Sequence, residues 1–269
     1  MPPMIEAFFD GATNTVTYLV ADPATRRAAV IDPVLDYDPE ADATTTVSAD
    51  ALVEWAEARG LEIVWLLETH AHADHLSAGD YLRRRTRAPI GAGARIVETQ
   101  KTFAARFGLE TPPAEAFDRL FADGERFALG ELEVEVLHTP GHTPACVSYL
   151  IGDAVFVGDT LFMPDFGTAR ADFPGGDAVT LYRSIRRILD LPPETRVFVG
   201  HDYLPKDGRK DFRWETTVAD ERAANIHVGG GTTEAEFVAM RQARDATLPP
   251  PKLLEPALKA NIRAGATGG

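Results

Sequence analysis

The sequence predicts an α/β (α+β) chain, and three features carry that prediction. Strand and helix signals alternate through its first third. The run Ile63–Leu67 (IVWLL) is continuously apolar, the pattern of a strand buried on both faces of a sheet. Residues 177–190 place Leu181, Ile185, Ile188 and Leu189 on one side of a helix, a face that needs a covering layer. With 45% hydrophobic and 25% charged residues among 269, the chain can bury a large core without disulfides or other staples.

The elements follow in order. Thr15–Val20 (TVTYLV) and Ala28–Ile31 (AAVI) are rich in branched side chains that pack well on a pleated surface, and Asp32-Pro33 stops the second. Residues 36–46, acidic and then Thr-rich, read as a loop. Ser48 is placed to cap a helix, SADALVEWAEAR, whose buried face is Leu52, Val53 and Ala56 and which Gly60 ends. After Ile63–Leu67 and the polar stretch Glu68–His75, a basic helix (YLRRRTR) follows Gly79, its arginines on a solvated face. Glu131–Leu137 alternates as a half-exposed strand. Val147–Ile151 and Ala154–Val157 form a hairpin across Gly152-Asp153. The helix 177–190 precedes a short strand, Arg196–Val199. Glu215–Asn225 and Thr233–Asp245 read as helices, the second with the capping box Thr233-x-x-Glu236. Pro249-Pro250-Pro251 breaks the chain, and the Gly-rich end is expected to fray. No internal repeat is present. We expect one domain over residues 1–269, with 211–269 a short helical appendage.

Charge and composition narrow the function. The net charge of −14 disfavours nucleic acid and anionic membranes as partners. One cysteine, Cys146, excludes an internal disulfide and favours a reducing compartment. No apolar run is long enough to span a membrane, and the N-terminal residues lack the basic and apolar regions of a secretory signal. The expected localisation is cytoplasmic.

Chemistry concentrates in Thr69-His70-Ala71-His72-Ala73-Asp74-His75, directly after the apolar strand. Imidazole nitrogen and carboxylate oxygen are good ligands for zinc and iron. Three histidines and an aspartate in one short stretch are hard to account for as a merely polar turn. His142, Asp159 and His201 also follow predicted strands, each beside a glycine. Loops at one edge of a rigid sheet are where sites are assembled. His138 and His227 read as ordinary histidines.

The set His70-x-His72-x-Asp74-His75, His142, Asp159 and His201 resembles the metallo-β-lactamase superfamily. The resemblance implies an αββα sandwich: two facing mixed β-sheets flanked by helices, with metal at one edge. Further segments are similar to persulfide dioxygenases (sulfur dioxygenases). They are Leu76–Gly79, Pro140–Cys146, Gly158–Leu161, Gly167–Phe173, Gly200–Tyr203 and Leu248–Arg263. The likeness runs from about Phe8 to Arg263, and the insert at 36–48 is closest to a bacterial subgroup labelled β-lactamase-like hydrolase.

From that resemblance follow the expected roles. His70, His142 and Asp159 would hold one Fe(II) per chain as a two-His-one-carboxylate triad. His72, Asp74, His75 and His201 would line a second site, and zinc or a second metal suits the same donors. The substrates would be glutathione persulfide and O2, the products sulfite and glutathione. Asp74 and Tyr203 are candidate catalytic groups; Arg170 and Tyr203 are candidate substrate contacts, Asp172 being placed to orient Arg170. Arg209, Lys210 and Arg213 are the next cations to consider. Many members carry a cysteine where this chain has Thr168, so no thiol can act there; Cys146 reads as a small buried residue. A homodimer is compatible with the sequence. A two-metal thioester hydrolase of the glyoxalase II kind is the alternative activity. A metal-stabilised binding module without turnover is the alternative of another class.

Overall fold

An N-terminal strand, Met4–Asp10 (β1), pairs antiparallel with Thr15–Ala21 (β2), which pairs antiparallel with Arg27–Ile31 (β3). This computed structural model describes residues 2–110 and 114–267. The chain then makes a hairpin of Val34–Asp38 (β4) and Ala43–Thr45 (β5) before helix α1 (Val47–Ala58). Strand β6 (Glu62–Leu67) lies parallel to β3, and the short β7 (Leu76–Ser77) joins β4. Helix α2 (Gly79–Thr86), strand β8 (Ile90–Gly93), helix α3 (Ile96–Phe107) and strand β9 (Arg119–Phe121) complete the first half. Its sheet has the order β1-β2-β3-β6-β8-β9.

The second half repeats the scheme. Strands β10 (Arg126–Leu129), β11 (Leu132–His138), β12 (Val147–Ile151) and β13 (Ala154–Phe156) form an antiparallel meander. Helix α4 (Ala178–Leu189) crosses over to β14 (Arg196–Phe198), which lies parallel to β13. Strand β15 (Glu215–Thr217) closes the second six-stranded sheet. Helices α5 (Val218–Ala224), α6 (Glu234–Asp245) and α7 (Leu254–Asn261) follow.

Period-2 alternation sorts the side chains into layers. Along β2, Val16, Tyr18 and Val20 join Val134, Tyr149 and Phe156 of the second sheet in one core. Leu19 and Ala21 turn to the other face, against Leu52 of α1 and Leu82 of α2. Val155 and Val197 of the second sheet pack outward against Leu181 and Ile185 of α4 and Phe237 of α6. The result is helices, sheet, sheet, helices, the αββα sandwich that the resemblance implied. The last helices contribute to both outer layers: Phe237 of α6 packs on α4, while Ala257 and Leu258 of α7 join the core over the first sheet.

Several local expectations change. Residues 36–46 are not a loop but part of the β4–β5 hairpin, where Asp36 faces Thr45 and Tyr37 faces Thr44. Its strands pair through the backbone over a polar surface, so no hydrophobic alternation marks them. Ser48 is not the cap of α1. It lies inside the helix, and Asp36 takes the capping role instead, accepting from Ser48 N (2.9 Å) and Ser48 Oγ (2.5 Å). Glu215–Asn225 begins as strand; Thr217 ends it and caps α5 by accepting from Asp220 N. Val64 and Trp65 of β6 are only half-buried. The capping box at Thr233 forms as expected, and Asp177 caps α4 by accepting from Thr180 N. Gly268 and Gly269, the end of the stretch expected to fray, lie outside the described residues.

The two sheets are pinned together at one edge. Val16 N donates to Gly200 O (2.8 Å), Val147 N to Thr69 O (2.9 Å) and Tyr18 Oη to Val199 O (2.6 Å). A single bridge links Thr15 to His201. All the candidate ligands sit at this edge.

Candidate metal centre

The loops that follow β6, β11, β13 and β14 deliver the side chains. His70–His75 follows β6, His142 follows β11, Asp159 follows β13 and His201 follows β14. Tight backbone contacts set their approach. Gly141 has φ +136°, and a Cβ there would lie 2.3 Å from the backbone of Leu181 at the start of α4. Gly158, at φ +48°, lies so close to Thr69 that a Cβ would stand 2.4 Å from its Oγ1.

His70, His142 and Asp159 offer ligand atoms that all lie within 4.8 Å of one another. Asp159 Oδ2 is 3.9 Å from His70 Nε2 and 3.6 Å from His142 Nε2. Its other oxygen, Oδ1, is 3.2 Å from His201 Nε2, which is 3.1 Å from Asp74 Oδ2. Asp159 therefore stands between two groups of donors. His72, Asp74 and His75 form a second group within the same 4.8 Å limit, and Asp32, Glu68 and His72 a third.

Hydrogen bonds around the rim orient four of the rings alike. His70 Nδ1 pairs with Thr69 Oγ1 (3.0 Å), whose hydroxyl donates to Asp32 (2.8 Å). His142 Nδ1 pairs with Arg170 O (2.8 Å), His75 Nδ1 with Leu76 O (3.1 Å) and His201 Nδ1 with Asn14 O (3.2 Å). With Nδ1 as the proton carrier, each Nε2 faces inward, where a neutral ring presents its lone pair. His72 differs: its Nε2 is 3.0 Å from Asp32 Oδ1 and 3.5 Å from Glu68 Oε2, leaving Nδ1 for a ligand.

The electrostatics divide the rings differently. Burial and the neighbouring His72 hold His70 well below the usual histidine value, and the same two causes bring His75 down to about 4. Both are thus neutral imidazoles, the ligating form. Burial opposes charge on His72, but Asp32 and Glu68 outweigh it and raise its pKa well above normal. Burial likewise opposes charge on Asp159, but His201 and the other histidines hold it well below the carboxylate range. His201 is raised to about 9, Asp159 and Asp74 overcoming its burial.

Unpaired atoms show that the site fits a cation. Among the described residues, ten buried side-chain N or O atoms have no hydrogen-bond partner, and eight of them are here. They include His70 Nε2, His75 Nε2, Asp159 Oδ1 and His201 Nε2. Each such atom costs about 1–3 kcal/mol when left unsatisfied. A metal ion satisfies several at once.

Asp74, His142 and Asp159 open onto a cavity of about 860 Å³, within the size range of sites for small molecules. The β4–β5 hairpin supplies one wall through Tyr37 and Pro39, and the segment Leu248–Leu253 another. Phe162, Phe166 and Tyr203 give an aromatic side; the Tyr203 ring stacks on His201 at 5.5 Å. Burial, Asp74 and Asp159 raise the Tyr203 hydroxyl, so it stays protonated. Its hydroxyl has no hydrogen-bond partner among the described residues.

Arg170 lines the cavity, but its fork is already filled. Nε and Nη2 bind Asp172 at 2.6 and 2.7 Å, and Nη1 donates to Pro249 O at 2.7 Å. Arg241, also in the wall, is paired with Asp245 at 2.7 Å. Arg244 and Lys252 line the same cavity and form no ion pair among the described residues. Arg209 is held between Asp202 and Asp165, and neither it nor Lys210 nor Arg213 lines the cavity.

Other residues fall outside the cluster. His138 Nε2 binds Pro144 O (2.9 Å), and His227 Nδ1 accepts from Thr168 N (3.0 Å). Cys146 is buried beside Thr143, and burial pushes its thiol up to about 12, which makes it inert. Sequence reasoning missed Asp32 and Glu68 as partners of His72. Asp32 did stand out as an acidic residue directly at the end of an apolar strand, and it is 3% exposed with φ +49°.

Residues 10–201 match the metallo-β-lactamase superfamily domain. The chain is 50% identical over 276 residues to a probable metallo-hydrolase of Burkholderia pseudomallei (strain 1710b), covering 97% of this chain and 92% of that one. It is 47% identical over 268 residues to glyoxylase B2 of Dictyostelium discoideum (97% and 90%). It is 30% identical over 267 residues to the mitochondrial persulfide dioxygenase ETHE1 of Homo sapiens (98% and 89%). It also spans 61% of the length of the β-lactamase hydrolase-like protein of Agrobacterium fabrum, at 49% identity. The crystal structure of ETHE1 from Myxococcus xanthus superposes with a TM-score of 0.78 at 34% identity, covering 98% of this chain and all of that one. With the four-layer fold and the donor cluster at its sheet edge, these matches establish that the chain belongs to the metallo-β-lactamase superfamily.

Proposed function

We propose that this protein is a non-haem Fe(II)-dependent dioxygenase that oxidises glutathione persulfide to sulfite and glutathione. The observation that carries the reading is the triad His70, His142 and Asp159, of which His142 and Asp159 open onto the large cavity, in a chain similar over its whole length to ETHE1. Three protein ligands leave the open positions that substrate and O2 need. Bound iron supplies the electronic access to O2 that no side chain provides. In the balanced reaction the outer sulfur takes both oxygens of O2 and one of water, and the inner sulfur leaves as the glutathione thiol.

This chain's own residues bind and orient. Thr69 and the Arg170 carbonyl fix the tautomers of His70 and His142. His72 stays beside Asp32 and Glu68, outside the triad. Arg244 and Lys252 offer their charges to the carboxylates of glutathione, while Arg170 reaches them only by exchanging Asp172 for substrate. The Tyr203 hydroxyl, protonated and unpaired, is a donor for the sulfur or its developing oxygens. We place the protein in the cytoplasm as one domain.

A second reading is a two-metal thioester hydrolase of the glyoxalase II kind. The observation that favours it is Asp159, whose second oxygen faces His201 and, through it, Asp74. The Dictyostelium relative bears a glyoxylase name. Elemental analysis after anaerobic purification, with O2 uptake on glutathione persulfide, separates the two. About one iron per chain with O2 uptake supports the dioxygenase. Two zinc ions per chain, thioester hydrolysis and no O2 uptake would refute it.

A further inference from the structure

The loop His70–His75 carries four candidate ligands, yet no backbone–backbone hydrogen bond holds residues 70–75 among the described residues. What holds it comes from the far end of the chain. Asn261, the last residue of α7, is 3% exposed. Its Nδ2 donates to the carbonyls of His72 and His75, each at 2.8 Å. Its Oδ1 accepts from Ser77 N at 2.8 Å. One carboxamide thus satisfies three backbone groups and ties the middle of the loop to its exit.

The segment around Asn261 is itself firmly seated. Ala260, Ile262 and Ala264 are buried, and Gln100 of α3 donates to Ile262 O at 2.9 Å. Gly265 has φ +84°, and a Cβ there would lie 2.4 Å from Ser77 O. The carboxamide is therefore pre-positioned, and the loop takes its shape from it. The residue lies outside the segment matched to the superfamily domain, which ends at 201.

We infer that Asn261 is a positioning residue of the metal centre, fixing the backbone of His72–Ser77 so that His72, Asp74 and His75 present their donor atoms together. The inference rests on the reading of this cluster as a metal site and not on which reaction follows. Asn261→Asp keeps the size and one acceptor but sets a carboxylate against two carbonyls. Asn261→Leu removes all three bonds. Ile262→Ala, which empties a buried neighbouring site and leaves the three bonds intact, is the control for lost stability.

The test measures zinc affinity of the full chain by chelator competition, and amide hydrogen exchange of the metal-free protein. Both Asn261 variants should bind zinc about 10–100-fold more weakly, the usual effect of losing an outer-shell partner. Ile262→Ala should stay within about threefold of the parent. Residues 72–77 should exchange faster in Asn261→Leu, with β2 unchanged. Asn261→Ser, a smaller change with the same lost bonds, serves if either variant does not fold. Parent-like zinc affinity in the Asn261 variants, or an equal loss in Ile262→Ala, would overturn the inference. Failure of the parent protein to bind metal would overturn both this inference and the metal centre, a result distinct from binding zinc without turning over persulfide.

Discussion

Replacing Glu221 with glutamine should stabilise the protein, and by an amount that grows with pH. Glu221, on α5, is fully buried; Oε2 accepts from Asn225 Nδ2 at 2.6 Å and Oε1 has no partner. Burial, with Asp220 and Asp165 nearby and only the Asn225 amide opposing, raises its pKa from 4.5 to about 8. Between those values the folded chain keeps a proton that the unfolded chain has lost. Stability therefore falls as pH rises through this window, by about 1.4 kcal/mol per pH unit at most, and levels off above the folded value. From pH 5 to pH 7 the loss is about 2.5 kcal/mol, equivalent to about 5–10 °C in melting temperature for a chain of this size. Glutamine is neutral throughout and escapes the loss. Thermal unfolding of both proteins at pH 5, 6, 7 and 8, with chelator present, isolates the effect because their other groups titrate alike. The melting temperatures should nearly coincide at pH 5 and diverge by about 5–10 °C at pH 7. A constant offset across the series would refute the reasoning. The change also reaches the cavity, because the same Asn225 amide donates to Gly167 O, next to Thr168 in the wall.

His142→Ala should abolish activity and lower iron content, whereas His201→Ala should retain much of the iron; equal loss on elemental analysis would point to a two-metal centre. Arg244→Ala with Lys252→Ala should raise KM for the persulfide about tenfold or more with iron content unchanged, and unchanged steady-state constants would move the carboxylate contact elsewhere. Arg170→Ala removes the filled fork on Asp172 and Pro249 O, and if Arg170 exchanges onto substrate, kcat/KM falls about 10–150-fold with partial recovery in Arg170→Lys. Constants that do not move in Arg170→Ala would assign that arginine to the wall alone.

The candidate ligand cluster was legible because it obeys a local rule. His70–His75, His142, Asp159 and His201 each follow a strand, and glycines beside three of these positions let the chain turn sharply. Their supports were not legible, because they depend on long-range contacts. Asn261 meets Ser77 across 184 residues, and Thr69 meets Asp32 across 37. Arg170 was visible as a cation in the right loop, but Leu248 and Pro249, which occupy its guanidinium, lie nearly eighty residues on. Among the elements, α4 announced itself through periodicity, whereas β8 (Ile90–Gly93) has no such pattern. Its glycines serve close packing: a Cβ on Gly91 would stand 2.4 Å from the Phe121 ring, and one on Gly93 2.6 Å from Val147.

The walls of the cavity have a different origin from its floor. Donor atoms come from loops at the edge of the sandwich, while Tyr37 and Pro39 belong to a polar hairpin and Pro249–Pro251 to a break between helices. Neither wall segment supplies a strand to the two six-stranded sheets. Exchange or lengthening of either one alters the shape offered to a visiting molecule, provided that the pairing of β4 with β7 and the hold of Pro249 O on Arg170 are kept. Such a separation makes the outer turn of the hairpin and the triple proline the places to graft when reshaping the cavity of this scaffold.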